Sequence, residues 1–292
     1  TFQYNELSRL PNWLLQKSIM HLKTRYRNQF KPPWPKIVIG CGRRSAPVGL
    51  WIKKKSNNHS HYIQILWPGW PSKSIDLIAT PKHDQINAGK NIINFLTSPH
   101  IFAKEQLNQA RKKWSATLNK LPFPRIAVLI GGDTRKNKFL PSHSSSMIKL
   151  LINFIGSSGS LMITTSRRTS KATQECIKKE VSLLGDRVVF WEKDLNTENP
   201  YPGFLSYADA VAVTGDSVSL CSEACSTGKP ILIFSPIKIT TSKQKMFHQA
   251  LIKKGIAEYL EKSDLDILKR ISYKPLNEAN FIAKEIKERF LN

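Results

Sequence analysis

Short, unbroken apolar runs are the dominant pattern along this chain, and most of them end in a turn of glycine, serine or threonine. Residues 210–213 form one such run, and residues 231–234 another. Runs of this length without polar alternation predict strands buried on both faces, as in a parallel sheet. Between the two lies Thr214-Gly215-Asp216-Ser217, whose small and capping residues predict the start of a helix over residues 218–227. Gly228 suits the left-handed position that closes a helix. Strand, turn, helix and strand make a βαβ unit, and such units bind ligands beyond the carboxyl ends of their strands.

The same alternation runs through the second half. A strand at residues 125–130 enters Gly131-Gly132-Asp133-Thr134, and a helix is predicted at residues 147–154. A strand at 160–164 enters Thr165-Ser166-Arg167-Arg168-Thr169, followed by a helix at 172–184 and a strand at 188–191. Helical spacing returns near residues 243–253, 265–271 and 278–290. The first half repeats the pattern less completely, with strands at 36–39, 62–66, 75–79 and 91–96 and helices at 46–54 and 103–118. Leucines and isoleucines at helical spacing between Leu7 and Leu22 predict a further helix over residues 6–26. Residues 119–124, Asn-Lys-Leu-Pro-Phe-Pro, break the pattern and set a domain boundary. The expected fold class is α/β, with two Rossmann-like parallel-sheet domains at residues 1–121 and 122–292.

Charge adds one question. Lys and Arg number 45 against 21 Asp and Glu, a formal net charge of +24. Such a field attracts polyanions, yet no zinc-finger spacing or aromatic RNP motif accompanies it, so no specific nucleic acid is expected. A lysine-, asparagine- and isoleucine-rich composition accounts for the charge first, and an anionic membrane surface second. No apolar run reaches the roughly 20 residues that span a bilayer. The four cysteines contain no CxxC pair and fit a reducing compartment. Cys221 and Cys225 share a helical face without histidines nearby, so no metal is expected. The expected location is cytoplasmic, with peripheral attachment to a membrane.

The strand-end turns carry the candidate chemistry. Backbone N–H groups entering the helix after residue 217 lack intrahelical partners and favour an anion. Ser217 and Ser219 add hydroxyl donors, and Glu223 can accept from a vicinal diol such as a ribose. A capped core helix with Glu223 facing solvent or a lysine is the equal alternative. The glycine pair Gly131-Gly132 permits close approach of a ligand, and Arg167 or Arg168 can add charge. All three turns of the second half open on one edge of a parallel sheet. In the first half, Arg43 and Arg44 can clamp a diphosphate or carboxylate bidentately, or simply form an exposed charge pair. His83 beside Asp84 supplies a candidate general base, or a structural histidine. No catalytic triad, DxD motif or P-loop is present.

LIGGD at residues 129–133, TSRRT at 165–169, NPY at 199–201 and VTGDSVSLCSEACSTGKP at 213–230 resemble the family of the plant mitochondrial fission factor called "elongated mitochondria" and its bacterial homologues. GCGRR at 40–44 and PKHD at 81–84 match it in the first half. More distantly, the second half resembles GT-B glycosyltransferases such as the lipid-linked N-acetylglucosaminyl transferase of peptidoglycan synthesis. That resemblance implies two domains facing across a cleft and a UDP-sugar or other nucleotide-sugar donor, with no cofactor. By position it places Gly131, Gly132 and Asp133 at the phosphates, Asp216, Ser217, Val218 and Ser219 at a second phosphate turn, and Glu223 on the ribose. The implied reaction is metal-independent glycosyl transfer to a lipid-linked acceptor, with His83 as base. The plant members imply the other reading, a non-catalytic adaptor that binds a protein or membrane partner. Family members begin with a strand and glycine-rich loop ahead of residues 6–26, so an upstream strand is expected beside residues 36–39, whose edge is otherwise unpaired.

Overall fold

The computed structural model describes residues 2–192 and 197–291. The chain forms two compact units, Thr1–Leu96 with Asn280–Asn292, and Thr97–Ala279.

In the first unit two single-turn helices, α1 (Asn12–Leu15) and α2 (Thr24–Arg27), precede strand β1 (Ile37–Cys41) and helix α3 (Ala46–Lys55). Strands β2 (His61–Ile65), β3 (Leu77–Pro81) and β4 (Ile92–Phe95) complete a parallel sheet of order β1-β2-β3-β4. β1 is an edge of this sheet, and Ile39 on it is 56% exposed. The continuous helix expected over residues 6–26 is not formed. Leu10 precedes a proline, which disfavours helical backbone, and both Leu10 and Pro11 are extended. Gln16 adopts φ 44° and Lys23 is extended. The segment instead folds back on itself: Tyr4 bridges Leu22 antiparallel, and Asn5 Nδ2 donates to the Met20 carbonyl at 2.8 Å. Leu22 is fully buried against Val48 and Ile52 of α3, while Leu7, Leu10 and Leu14 stay exposed. The helical spacing of the leucines thus came from a docking segment of several turns.

The second unit starts with α4 (Lys104–Lys113) and α5 (Ser115–Leu118), then alternates β5 (Arg125–Ile130), α6 (Pro141–Ile155), β6 (Ser160–Thr165), α7 (Lys171–Val181), β7 (Val188–Trp191), α8 (Tyr201–Tyr207), β8 (Ala210–Thr214), α9 (Val218–Ala224), β9 (Ile231–Phe234), α10 (Ser242–Lys253), β10 (Ala257–Tyr259) and α11 (Ile267–Arg270), and the chain ends in α12 (Glu278–Phe290), most of which belongs to the first unit. Its six strands are parallel in the order β10-β9-β8-β5-β6-β7. β8 and β9 are buried at every position, as their unbroken apolar runs require. Ile126, Val128 and Ile130 of β5 pack with Met147 and Leu151 of α6 and Ile177 of α7. β5 comes first in sequence but lies between β6 and β8, so the order reverses beside it. In open α/β sheets ligands bind at such a switch point.

The units divide at Leu96 and Thr97 rather than at 121 and 122. α4 belongs to the second unit because Arg111 donates to the Ser206 carbonyl at 2.7 Å and lies over the Tyr207 ring. The chain's last helical stretch returns to the first unit. Ile282 and Ile286 of α12 pack with Ile63, Leu77, Ile93 and Phe95, and Arg289 donates to the Lys90 carbonyl at 3.1 Å.

Candidate functional site

The carboxyl ends of β5, β6 and β8 meet at the switch point, and their three turns are bonded to one another. Thr214, the last residue of β8, accepts the Gly131 N–H on its hydroxyl at 2.8 Å. The Asp216 carboxylate, 1% exposed, accepts the Gly132 N–H at 3.1 Å and pairs with Arg168 Nη2 at 2.8 Å, both on Oδ2. Arg168 Nη1 donates to the carbonyls of Gly132 and Asp133 at 2.9 and 3.0 Å. The Asp133 N–H returns a bond to the Arg168 carbonyl at 3.1 Å. Ser166 and Thr169 both donate side-chain hydroxyls to the Gly131 carbonyl. From α10, Gln244 Nε2 holds the Asp216 carbonyl at 2.5 Å.

This packing is why glycine occupies both positions. A β-carbon on Gly131 would sit 2.3 Å from Asp216 Oδ1, and one on Gly132 would sit 2.2 Å from the Arg168 carbonyl oxygen. The residues expected at the phosphates are therefore brought together, but their donors are engaged internally. Asp133 turns away to Lys138 at 2.7 Å and the Phe139 N–H at 3.0 Å, contacts that hold its carboxyl below the usual range. Arg168 ties turns together although its side chain is 39% exposed, and Arg167 on the same turn is exposed as well. Ser217 caps α9 by accepting the Leu220 N–H at 3.3 Å, Val218 is half-buried and Ser219 is exposed.

Glu223 is half-buried one turn and more into α9, and Tyr201 Oη donates to its Oε2. Burial raises the Glu223 carboxyl above its ordinary value, and the Tyr201 bond opposes that shift. Burial also pushes the Tyr201 phenol well up, aided by the charge of Glu223, so Tyr201 stays a donor. Phe102 packs edge-on against the Tyr201 ring at 5.5 Å. Tyr201 also lines a cavity of about 150 Å³ with Thr165, Ser166, Trp191, Asn199 and Leu220. Tyr201, Trp191 and Thr214 are site residues that the sequence reasoning did not single out. The Asn199-Pro200-Tyr201 motif was visible, but nothing in it showed a tyrosine reaching a carboxylate in α9. Larger cavities lie elsewhere, such as one of about 500 Å³ lined by Phe123, Asp209 and Pro230. Those residues precede β5, β8 and β9, at the opposite ends of the strands.

In the first unit Arg43 and Arg44 follow β1, and His83 and Asp84 follow β3, so both pairs sit at the carboxyl edge of that sheet. Arg43 is committed to the N-terminal segment, donating to the carbonyls of Leu10 and Ser8 at 3.0 and 3.2 Å. Arg44 lies over the Tyr4 ring at 5.6 Å. His83 and Asp84 are half-buried. Arg43→Ala is expected to lower stability by about 1 kcal/mol through loss of these bonds. A thermal melt checks it; an unchanged melting temperature would mean that these bonds do not hold the N-terminal segment.

Among the described residues no group of three His, Cys, Asp or Glu could hold a metal ion, and no helix is long and apolar enough to cross a membrane.

Comparison with known proteins fits this architecture. The crystal structure of Acinetobacter baumannii MurG is similar over 90% of this chain and 77% of its own, with a TM-score of 0.50 and 13% identity. The fold is thus the two-sheet α/β fold of GT-B glycosyltransferases. Uncharacterized protein RP120 of Rickettsia prowazekii is 32% identical over 98% of this chain and 89% of its own length. Mitochondrial fission protein ELM1 of Arabidopsis thaliana is 28% identical over 94% of this chain and 68% of its own length. The family model for mitochondrial fission ELM1 matches residues 3–290, and with a match running almost from end to end the chain belongs to that family.

Proposed function

We propose that the second unit binds a nucleotide-sugar, and that the protein is a metal-independent glycosyltransferase of GT-B type. The observation that supports this best is Tyr201, which lines the cavity at the carboxyl edge of β5 to β7 and also donates to the half-buried Glu223. The cavity takes the base, against Trp191 and Leu220. Glu223, with Oε2 held by Tyr201, offers its other oxygen to the ribose hydroxyls. The phosphates then extend toward the turns after β6 and β8, where Arg167 and Ser219 are exposed. Charge developing on a departing diphosphate would meet preorganised donors there.

An anionic membrane surface bearing a lipid-linked acceptor is the proposed partner. Exposed Trp13, Leu14 and Met20 beside Arg9, Lys17 and Lys23 suit it. The adaptor reading draws on a different observation, the internal saturation of the Gly131 and Gly132 N–H groups.

A thermal-shift screen with UDP, UDP-N-acetylglucosamine, ADP and GDP separates the readings. Ligands that bind only the folded state raise its melting temperature. The expected result is a rise with a uridine nucleotide that disappears in Glu223→Ala. No rise with any of the four would leave the adaptor reading in place.

A further inference from the structure

The Asp216 carboxylate is built into the meeting point of the strand-end turns. It takes the Gly132 N–H of the β5 turn and Arg168 Nη2 of the β6 turn. Oδ1 is buried without a hydrogen-bond partner and lies against Gly131. Buried polar atoms are normally paired, so this carboxylate is held by its surroundings and not by its own full complement of bonds. The Gln244 bond to its carbonyl and the Ser217 cap fix the backbone on either side.

We propose that Asp216 is a specificity-determining residue that selects the ligand by the charge of its outer phosphate. The inference rests on the nucleotide reading above. In a nucleotide-sugar the outer phosphate is a diester with a single negative charge. In a free nucleoside diphosphate it is a monoester carrying about two at neutral pH. A fixed carboxylate in a poorly solvated turn repels the second more than the first. The site therefore holds the sugar-linked donor and releases the free diphosphate, so that binding follows the linkage as well as the base.

Two measurements test this, with UDP-N-acetylglucosamine and UDP as probes in calorimetry. The first uses Asp216→Asn, which keeps the shape and removes the charge. UDP affinity is expected to rise about tenfold, and UDP-N-acetylglucosamine affinity by about threefold or less, in line with like-charge repulsion at close range. Equal changes for the two ligands, or a loss for both in a folded variant, would overturn the proposal.

The second uses the unaltered protein and needs no substitution at a buried pair. Between about pH 7.5 and pH 5 the terminal phosphate of UDP gains a proton, its second pKa lying near 6, while the diester does not. UDP is expected to gain on UDP-N-acetylglucosamine as pH falls. The groups around Asp216 do not mimic this. Arg168 meets it as a guanidinium at 2.8 Å, and the Lys138 hydrogen bond holds the Asp133 carboxyl below the usual range. His248 of α10, beside Gly215, is pushed down to about 4 by burial and stays neutral over most of the range. Burial pushes the Cys221 thiol of α9 well up. Glu223 contacts the ribose that both ligands share, so its titration cancels in the ratio. A ratio flat with pH would overturn the charge selection alone, whereas absence of binding by either ligand at every pH would overturn the nucleotide reading with it.

Discussion

Replacing Glu223 with alanine is expected to weaken UDP-sugar binding by roughly 1.5–3 kcal/mol, the range for a hydrogen bond to a charged group. That corresponds to about 10- to 150-fold in affinity, well within reach of calorimetry. The fold should survive, because Glu223 is half-buried at the site and not part of the apolar core. Glu223→Gln separates charge from shape. Burial raises this carboxyl above its ordinary value, so the folded state binds its proton more tightly than the unfolded chain does. Stability linked to that proton is fully present below the unfolded pKa and is lost as pH rises through the raised folded pKa. At neutral pH the ionised group therefore burdens the fold. Glu223→Gln should melt higher than the parent at pH 7, with the gain vanishing near pH 4, while ligand affinity falls. Affinity of the parent should also drop as pH descends into the raised titration of Glu223. A glutamine variant that melts lower than the parent at pH 7 would falsify the burial account.

The strands of the second unit were readable because their apolar runs are unbroken and each ends in small residues. β5, β6, β7, β8 and β9 all lie within a residue or so of the runs that predicted them. β10 was missed, since three residues of which the last two are only half-buried leave no run to see. The N-terminal segment shows the opposite failure. Its leucines keep helical spacing, but Pro11 and the Tyr4–Leu22 bridge impose a folded-back path that a spacing count does not register. α12 was legible as a helix, yet an apolar face does not name its partner, and its isoleucines went to the first sheet.

The candidate site divides the same way. Parallel strands guaranteed that the GGDT, TSRRT and TGDS turns would share an edge. Nothing in the sequence revealed that Asp216 would turn inward and take Arg168, because an Arg–Asp pair 48 positions apart (168 to 216) has no local signature. The tyrosine reaching Glu223 from 22 residues upstream was hidden for the same reason.

Gly132→Ala is expected to be among the most destabilising small substitutions in the second unit. The new β-carbon would lie 2.2 Å from the Arg168 carbonyl oxygen, 2.3 Å from its carbon and 2.6 Å from the Thr169 nitrogen. These are backbone atoms, so no side chain can rotate aside. The β5 and β6 turns must separate, and the bonds between them, Asp133 N–H to Arg168 and Arg168 Nη1 to Gly132, stretch together. Overpacking of this kind costs about 1–3 kcal/mol, and the upper end applies where backbone must move. For a unit of this size that is a fall in melting temperature of roughly 5–10 °C. Gly89→Ala is the control, since a β-carbon there meets nothing within 4 Å. Gly131→Ala provides the sharper contrast. The three atoms nearest its β-carbon would all belong to the Asp216 carboxylate, at 2.3 and 2.4 Å for the oxygens and 2.7 Å for Cγ. Shortening Asp216 to alanine removes that obstacle. In double-mutant cycles Gly131→Ala should therefore be relieved by Asp216→Ala, and Gly132→Ala should not, because its clash is with main chain. Melting curves of the three single and two double variants decide it: equal coupling in both cycles would mean that the turns are held by something other than the Asp216 carboxylate and the close passage of the β6 turn.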